Sequence, residues 1–518
     1  MNIVKNQIAD QFRHFYWKIT DELKSRPINE SGVIIATALI VGAGAGLGAV
    51  GFKLLVDAAQ KFSFDYVGHF LSGINPLLLI LIPVVGGLIT GPIIFRFARE
   101  AKGHGVPEVM EAVALRGGRI RPQVGLVKAV ASAVCIGTGG SVGSEGPIAQ
   151  IGSALGSTVG QLFKLSEDRT KTLVACGAAG GIAAIFNAPI AGAIFAMEVI
   201  LNRMSTVYFS SVVISAVTAD AIAHAFLGNN RTFLIPQYSI KSPWEFLLFT
   251  VLALIAAFAS VGFSRILYWT EDIFDAIHMP EWLKPALGGL FLGILGVVTY
   301  KTTTGFPRVF GVGYETITPA LFGEMAAGVA LLLFFLKLLA TLFTLGSGNS
   351  GGIFAPSLFM GSMLGASFGK IAIGYFPNIS TGSGAYALVG MAAFFSGATH
   401  APMTAILILF EMTNNYQLIL PLMLATVFST IISKLISKDS IYTLKLTRRG
   451  IHLTETEEID VMQGVTVDEV MSKDFEKISM DMSLPALADL FVKSHRHGFP
   501  IVNSEGILMG LVTIGDLD

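Results

Sequence analysis

"GTGGSVGSEGPIAQIGSALGSTVG" (residues 137–160) has a counterpart later in the chain, "GSGNSGGIFAPSLFMGSMLGASFG" (residues 346–369). The two stretches align without a gap at a constant offset of 209 residues. Glycines, serines, a leucine and a proline recur in the same order, with Pro147 opposite Pro356. Glycine and alanine alone align easily in apolar helices, but repeated prolines do not. The match therefore indicates an internal duplication.

A second pair of stretches supports the duplication. Residues 177–198 align with residues 390–411 at an offset of 213, and each stretch ends in a glutamate, Glu198 or Glu411. A third, weaker match aligns Gly103 and Gly105 with Gly311 and Gly313. Duplicated units of this kind are typical of transporters and channels whose site lies where broken helices of the two halves meet.

The composition indicates a membrane protein. Of 518 residues, 53% are hydrophobic and 14% charged, well below the roughly 25% charged residues of soluble domains. Apolar stretches of about 20 residues, the length that crosses a bilayer, recur along the chain. A net charge of −1 gives no reason to expect a nucleic-acid partner.

The chain is predicted to have three parts. Residues 1–30 mix basic and aromatic residues and predict a cytoplasmic amphipathic helix. Residues 31–450 form the membrane transport domain, with repeat halves at about 31–230 and 240–450, and residues 451–518 form a cytoplasmic linker and a partial soluble module. Basic residues flank the membrane domain, which predicts a multi-pass protein of the plasma (inner) membrane with both termini in the cytoplasm.

Each repeat runs from a glycine-rich stretch into a proline and then an apolar helix. Proline is well placed in a first helical turn, so Pro147 and Pro356 are expected to open helices. The preceding backbone N–H groups then lie at the positive end of a helix dipole, which favours an anion. Partial charges of this kind bind an ion without trapping it. The same glycines would also suit tight turns between helices.

Other functional classes fit less well. Cys135 and Cys176 lie in apolar segments, which argues against a disulfide framework or a cysteine metal site. No HExxH, CxxC or P-loop pattern occurs in the sequence, so neither an enzyme nor a required metal or cofactor is predicted. A nucleotide-sensing module on a plain membrane anchor would not need so elaborate a repeat.

Four elements in order resemble the anion pathway of the CLC family of chloride channels and proton-coupled chloride exchangers. They are "GHGVP" (103–107), "GSEGP" (143–147), "GIFAP" (352–356) and Tyr442 in "KDSIYTLKLTRRG". The resemblance implies an all-α polytopic fold of inverted repeats with broken helices. It also implies a homodimer in which each subunit has its own pore.

The resemblance implies specific roles for residues of this chain. Amides of Ile353 and Phe354 would hold a central chloride together with the Tyr442 hydroxyl. The complete set of implied anion-binding positions is His104, Ser144, Gly146, Ile353, Phe354, Ala355 and Tyr442. Ser144 stands where the family usually has Lys or Arg, which lowers the local positive potential.

Glu145 falls at the family's gating glutamate. An ionised carboxylate at a helix N-terminus competes with chloride for the same amides, and protonation removes the competitor. His104 stands where the family has a serine that selects the anion. Its side chain either faces the ion as a pH-sensitive donor or caps the following helix and faces protein.

The position of the exchangers' inner proton-relay glutamate is Val199 here. This predicts chloride transport that is channel-like or weakly coupled to protons; the alternative is an exchanger with a displaced proton route. Glu198 and Glu411 are expected to pair with backbone or polar groups near helix ends. Lys128 either snorkels toward the interface or tunes Glu145.

The end of the chain resembles a CBS module, a small α/β unit that works in pairs. Thr513 and Asp516 match the family's ribose-contacting residues, so a complete pair would bind an adenine nucleotide. A single copy is present and stops at the start of its last helix, which suggests a fragment of a longer protein. Such modules also serve as dimer contacts.

Overall fold

The protein is described by a computed structural model that covers residues 30–204, 206–228, 232–233, 235–302, 309–452, 471, 475–494 and 496–516. The chain separates into two compact units, Met1–Leu453 and Thr454–Asp518. The predicted amphipathic helix at residues 1–30 lies outside the described residues, apart from its last position.

The first unit is built of helices in two successive sets. The first set is α1 (Glu30–Gln60), α2 (His69–Ile74), α3 (Leu81–Phe97), α4 (Val106–Leu115), α5 (Pro122–Gly137), α6 (Glu145–Leu162), α7 (Glu167–Phe186), α8 (Pro189–Phe195) and α9 (Thr206–Leu227). The second set is α10 (Glu245–Ala276), α11 (Lys284–Thr302), α12 (Tyr314–Leu321), α13 (Ala327–Gly346), α14 (Phe354–Tyr375), α15 (Ser383–Thr399), α16 (Pro402–Thr413), α17 (Ile419–Ile436) and α18 (Thr443–Arg448). Short 3₁₀ or π-helical turns lie at Lys61–Gly68, Pro76–Ile80, Arg99–Ala101, Ala196–Ile200, Glu281–Leu283 and Tyr416–Leu418.

Eight helical segments of the described chain are long and apolar enough to cross a membrane. They are Gly32–Ile74, Pro76–Phe97, Tyr208–Leu227, Glu245–Ala276, Glu281–Thr299, Ala327–Gly346, Phe354–Tyr375 and Tyr416–Ile436. Large apolar side chains on these segments are exposed at the surface, as at Leu47, Phe258 and Leu435. Such a surface suits contact with lipid tails, since water would be a poor solvent for it.

Small residues let helices of the same repeat approach closely. A Cβ atom added to Gly152 or Gly156 of α6 would collide with the backbone carbonyls of Gly177 or Leu173 in α7. Equivalent collisions occur in the second repeat, where Gly361 meets Gly390 and Gly365 meets Tyr386. The glycine stripes are therefore helix-packing faces, as their helical spacing predicts.

The two repeats are joined where their glycine-rich stretches meet. Gly143 and Gly352 form an isolated antiparallel bridge. The Gly143 amide donates to Gly352 O at 2.8 Å, and the Gly352 amide donates to Gly143 O at 2.7 Å. A second, parallel bridge joins Gly103 to Ser350. The bridged glycines are equivalent positions of the two copies, so the repeats meet near an axis of pseudosymmetry.

The second unit is a small α/β module. Strand β1 (Ile478–Ser479) pairs in parallel with β2 (Gly498–Val502), which pairs antiparallel with β3 (Leu508–Thr513). Helix α19 (Leu484–Ser494) covers the sheet, with Phe491 packed against Phe499.

The close contact between α6 and α7 predicts a strong asymmetry between two glycine substitutions. Gly156→Val should lower the stability of the folded protein by about 1–3 kcal/mol or more, because the added methyl groups have no space against the Leu173 carbonyl. Gly262→Val in α10 is the matched control, since a Cβ at Gly262 meets nothing within 4 Å. Thermal unfolding of both variants in detergent measures the effect. Equal unfolding temperatures would contradict the packing role.

Candidate functional site

The N-termini of α6 and α14 bring the candidate site together. Glu145 is the first residue of α6 and is 2% exposed. Its Oε1 accepts a hydrogen bond from the Tyr314 hydroxyl at 3.0 Å. Its Oε2 is buried with no hydrogen-bond partner among the described residues. The backbone amide of Ala355 in α14 also faces this carboxyl group, without meeting hydrogen-bond geometry.

Glycines make room for the Glu145 carboxyl group. A Cβ atom on Gly143 would collide with Glu145 Oε2, and one on Gly352 would come within 3.1 Å of the same oxygen. A Cβ atom on Gly146 would collide with the His104 carbonyl. Glycine at positions 143 and 352 therefore leaves the space that the Glu145 carboxyl group occupies.

The partner of Glu145, Tyr314, was not singled out from the sequence. Tyr314 opens α12 directly after Gly313, whose φ of +88° lies in the left-handed region that favours glycine. The alignment of Gly105 with Gly313 could have identified this position, because a short helix begins directly after each of these glycines, at Val106 and at Tyr314. Nothing in the sequence pairs that residue with a carboxylate 169 positions earlier.

A buried lysine holds the loop that precedes Tyr314. Lys337 Nζ donates to Val309 O at 3.2 Å and to Gly311 O at 2.7 Å, and lies 5.1 Å from the centre of the Phe359 ring. Its charge acts on Glu145. Lys337 was also missed from the sequence, although it lies 209 residues after Lys128, at the repeat offset.

Lys128 makes the equivalent contacts in the first repeat. Its Nζ is fully buried and donates to Ala101 O at 3.1 Å and to Gly103 O at 2.7 Å. The snorkelling interpretation of Lys128 is therefore wrong, because the amine turns inward to satisfy backbone carbonyls. The charge of Lys337 favours the ionised form of Glu145.

His104 lies among aromatic hydroxyl groups. Its Nε2 lies 3.0 Å from the Tyr268 hydroxyl, which itself donates to Ile441 O at 2.5 Å. The His104 and Tyr442 rings lie 5.8 Å apart between centroids. Gly105 holds the N-cap position of α4 without a side-chain cap, so the helix-capping interpretation of His104 is wrong. Its Nδ1 is buried with no partner among the described residues.

The remaining predicted anion-binding positions lie near these groups. Ile353 is the N-cap residue of α14, and Phe354 is its first residue, with its ring packed 4.3 Å from that of Phe395. Tyr442 is buried just before α18, and its amide donates to Ser440 Oγ at 3.3 Å. Ser144 is the N-cap residue of α6.

A cavity of about 570 Å³ approaches Glu145 from the Tyr314 side. Ser144 and Tyr314 both line it, and so do Lys53, Asp57 and Glu315. Two of these lining residues connect the cavity to Glu145, since Ser144 precedes it in the chain and the Tyr314 hydroxyl donates to its carboxyl group.

Glu198 and Glu411 each cap a short helix of the other repeat. Glu198 accepts from the amides of Met403 and Thr404 at 3.1 and 2.8 Å. Glu411 accepts from the amides of Ile190 and Ala191 at 3.1 and 2.7 Å. The predicted structural role of both glutamates is confirmed. The adjacent Val199 is buried and offers no titratable group.

Two GxSxG stretches, residues 139–143 and 348–352, have the spacing of a serine hydrolase nucleophile motif. Both serines are fully buried and bond to other hydroxyls, Ser141 to Thr341 at 3.3 Å and Ser350 to Ser132 at 2.9 Å. Neither serine bonds to a histidine in the described chain, so these contacts are structural links between the repeats.

In the C-terminal module, Thr513 and Asp516 contact each other. The Thr513 amide and hydroxyl donate to Asp516 Oδ2 at 2.7 and 2.8 Å, and these bonds lower the pKa of the exposed Asp516 carboxyl. Among the described residues of both units, no group of three His, Cys, Asp or Glu side chains could hold a metal ion.

Two helical repeats whose broken helices meet at a buried carboxylate define an inverted-repeat membrane transport protein. Comparison with known proteins narrows this class. Residues 86–434 match the family described as voltage gated chloride channel, and residues 467–517 match the CBS domain. The chain therefore belongs to the voltage-gated chloride channel family, the CLC family, and is a chloride-transport protein with a C-terminal CBS module.

Relatives of this chain include proteins named as chloride channels and proteins named as chloride exchangers. A putative chloride channel protein ClcB-like of Ralstonia nicotianae is 34% identical over 373 residues, which cover 71% of this chain and 85% of the relative. An H(+)/Cl(−) exchange transporter ClcA of Vibrio parahaemolyticus is 33% identical over 456 residues, covering 86% and 95%. The crystal structure of a slow cyanobacterial Cl−/H+ antiporter aligns with a TM-score of 0.72 at 26% identity, covering 80% of this chain and 97% of that one. The expected all-α inverted-repeat fold is confirmed.

The reciprocal helix caps predict a loss of stability when one is removed. Glu198→Ala should lower the free energy of unfolding by about 1–2 kcal/mol, because two amides at the start of α16 lose their acceptor. Glu281→Ala is the control, since Glu281 is exposed and its contact with Arg99 is 3.9 Å long. Thermal unfolding in detergent compares the two. A larger loss in the control variant would contradict the capping role.

Proposed function

We propose that this protein conducts chloride between its two repeats and that protonation of Glu145 opens the pathway. The position of Glu145 carries the proposal. Its carboxyl group lies between the N-termini of α6 and α14, with Oε2 unpaired in the described structure. A negative carboxylate in that place substitutes for an anion, because helix N-termini favour negative charge of either kind.

The proposed chloride ligands flank this carboxyl group. Backbone amides of Ile353 and Phe354 and the Tyr442 hydroxyl serve a central site, and His104 lies on the same side as Tyr442. Ser144, Gly146 and Ala355 serve an outer site beside the 570 Å³ cavity, which Ser144 lines. Amide dipoles replace part of the ion's hydration without the tight hold of a full charge, which permits release.

We further propose channel-like or weakly coupled transport. Val199, at the position of the exchangers' inner glutamate, cannot carry a proton. The alternative is proton-coupled exchange by a displaced route, which the exchanger names of several relatives favour. Glu198 is a poor substitute for the relay, because both its oxygens accept hydrogen bonds from α16.

The proposed setting is a homodimer in the plasma (inner) membrane with both termini in the cytoplasm. Basic residues on and near α18 support this orientation by the positive-inside rule. The CBS module would bind an adenine nucleotide only as part of a complete pair, with Thr513 and Asp516 at the ribose.

Removing the charge of Glu145 should remove most of the pH response of transport at chloride concentrations below saturation, where the carboxylate and chloride compete for the same amides. Wild-type efflux from liposomes should rise as pH falls, by up to about tenfold per pH unit where the carboxylate titrates, because the protonated side chain no longer competes with chloride. Glu145→Gln should transport chloride faster than the wild type at high pH, and its rate should depend on pH much less. Glu315→Gln, which changes a cavity-lining carboxylate, is the control. A wild-type pH response in Glu145→Gln would exclude Glu145 as the gate.

A proton gradient distinguishes a channel from an exchanger. In liposomes with equal chloride on both sides, an imposed pH gradient should cause no net chloride movement through a channel-like pathway, because Val199 provides no relay. A chloride electrode records the movement, with Glu145→Gln as the uncoupled reference. Uphill chloride uptake by the wild-type protein alone would establish the exchanger alternative.

A further inference from the structure

The hydrogen bonds around His104 determine which of its ring nitrogens carries a proton. Tyr268 has one hydroxyl proton, and the carbonyl oxygen of Ile441 at 2.5 Å can only accept it. The Tyr268 oxygen must then accept the hydrogen bond from His104 Nε2 at 3.0 Å. Nε2 is therefore protonated whether the ring is neutral or charged.

This tautomer leaves Nδ1 of the neutral ring as a bare lone pair. Nδ1 is buried and has no partner among the described residues, in a side chain that is 3% exposed. A buried polar atom without a partner is unfavourable unless a ligand or water satisfies it. A lone pair repels an anion, whereas the doubly protonated ring offers an Nδ1–H donor and a positive charge.

The charges around the ring leave room for one more negative charge. Burial of the ring opposes a protonated His104 most strongly, the charges of Lys445, Lys128 and Arg449 oppose it further, and the Glu108 carboxylate favours it. Glu108 is itself paired with Lys445 and Arg449, each at 3.2 Å. Tyr268 and Tyr442 are the other titratable groups beside the ring. Because Glu108 already pairs with two cations, it cannot also balance a positive charge on the ring, whereas an anion beside Nδ1 would.

We propose that His104 is a second proton site, separate from Glu145, at which a proton and a chloride bind together and each strengthens the binding of the other. Chloride then has low affinity when the ring is neutral and higher affinity when Nδ1 carries a proton. Thermodynamic linkage makes the effect reciprocal, so chloride binding takes up protons. This inference rests on the proposed chloride pathway and assigns it a second titratable group, beside Tyr442.

The test uses the Glu145→Gln protein, which removes the competing carboxylate and its proton. Calorimetric titration with chloride between about pH 5.5 and about pH 8.0 should show the dissociation constant rising by roughly tenfold, within the usual range of coupling between two sites. Repeating the titration in buffers of different ionisation enthalpy should show proton uptake on binding. Adding His104→Ser should remove both effects, and adding His278→Ser, an exposed histidine, should leave both intact.

Tyr268→Phe in the same background separates the tautomer from a merely structural role. Without the acceptor for Nε2–H, the neutral ring can place its proton on Nδ1 and donate to chloride. The variant should then bind chloride at high pH more tightly than the parent and take up fewer protons.

Unchanged pH dependence and proton uptake in His104→Ser would overturn the inference while leaving chloride binding intact. Loss of chloride binding already in Glu145→Gln would overturn the proposed function, and this inference with it.

Discussion

The pairing of Gly143 with Gly352 is the contact on which the rest of the membrane unit depends. Two equivalent residues of the repeats exchange two backbone hydrogen bonds, at 2.8 and 2.7 Å. Neither position has space for a side chain, because a Cβ on Gly143 would collide with the Glu145 carboxyl group and one on Gly352 would come within 2.8 Å of the Gly146 amide. This contact brings the N-termini of α6 and α14 together, and a buried carboxyl group then fits between them.

Shared backbone geometry and different side chains together produce the site. Lys128 and Lys337 hold equivalent loops by bonding two carbonyls each, at the same 2.7 Å to Gly103 and Gly311. The short helices that follow begin with different residues, and in the second repeat that residue is Tyr314, which bonds to Glu145. The Tyr314–Glu145 hydrogen bond therefore arises at a position where the two repeats carry different residues.

Broken helices inside a membrane leave amide groups that lipid cannot satisfy. Each repeat supplies the acceptor for amides of the other, because Glu198 caps α16 and Glu411 caps α8. A polar residue in an apolar region is costly unless it has such partners. The two carboxylates therefore bind the halves together, while Glu145, with one oxygen unpaired in the described structure, keeps the capacity to respond to an ion or a proton.

The amino-acid sequence was enough to predict the duplication, the membrane class, the helix starts near Pro147 and Pro356 and the structural role of Glu198 and Glu411. The helix starts, glycine spacing and apolar segments depend on local chemistry that acts over a few turns. The partners of Glu198 and Glu411 do not, since they lie 205 and 221 residues away. The folded structure was needed to show that Tyr314 bonds to Glu145, that Tyr268 orients His104 and that Lys128 turns inward. Those contacts join groups 169, 164 and 25 residues apart, the last of them a lysine amine and a backbone carbonyl, and no local pattern specifies which group lies opposite.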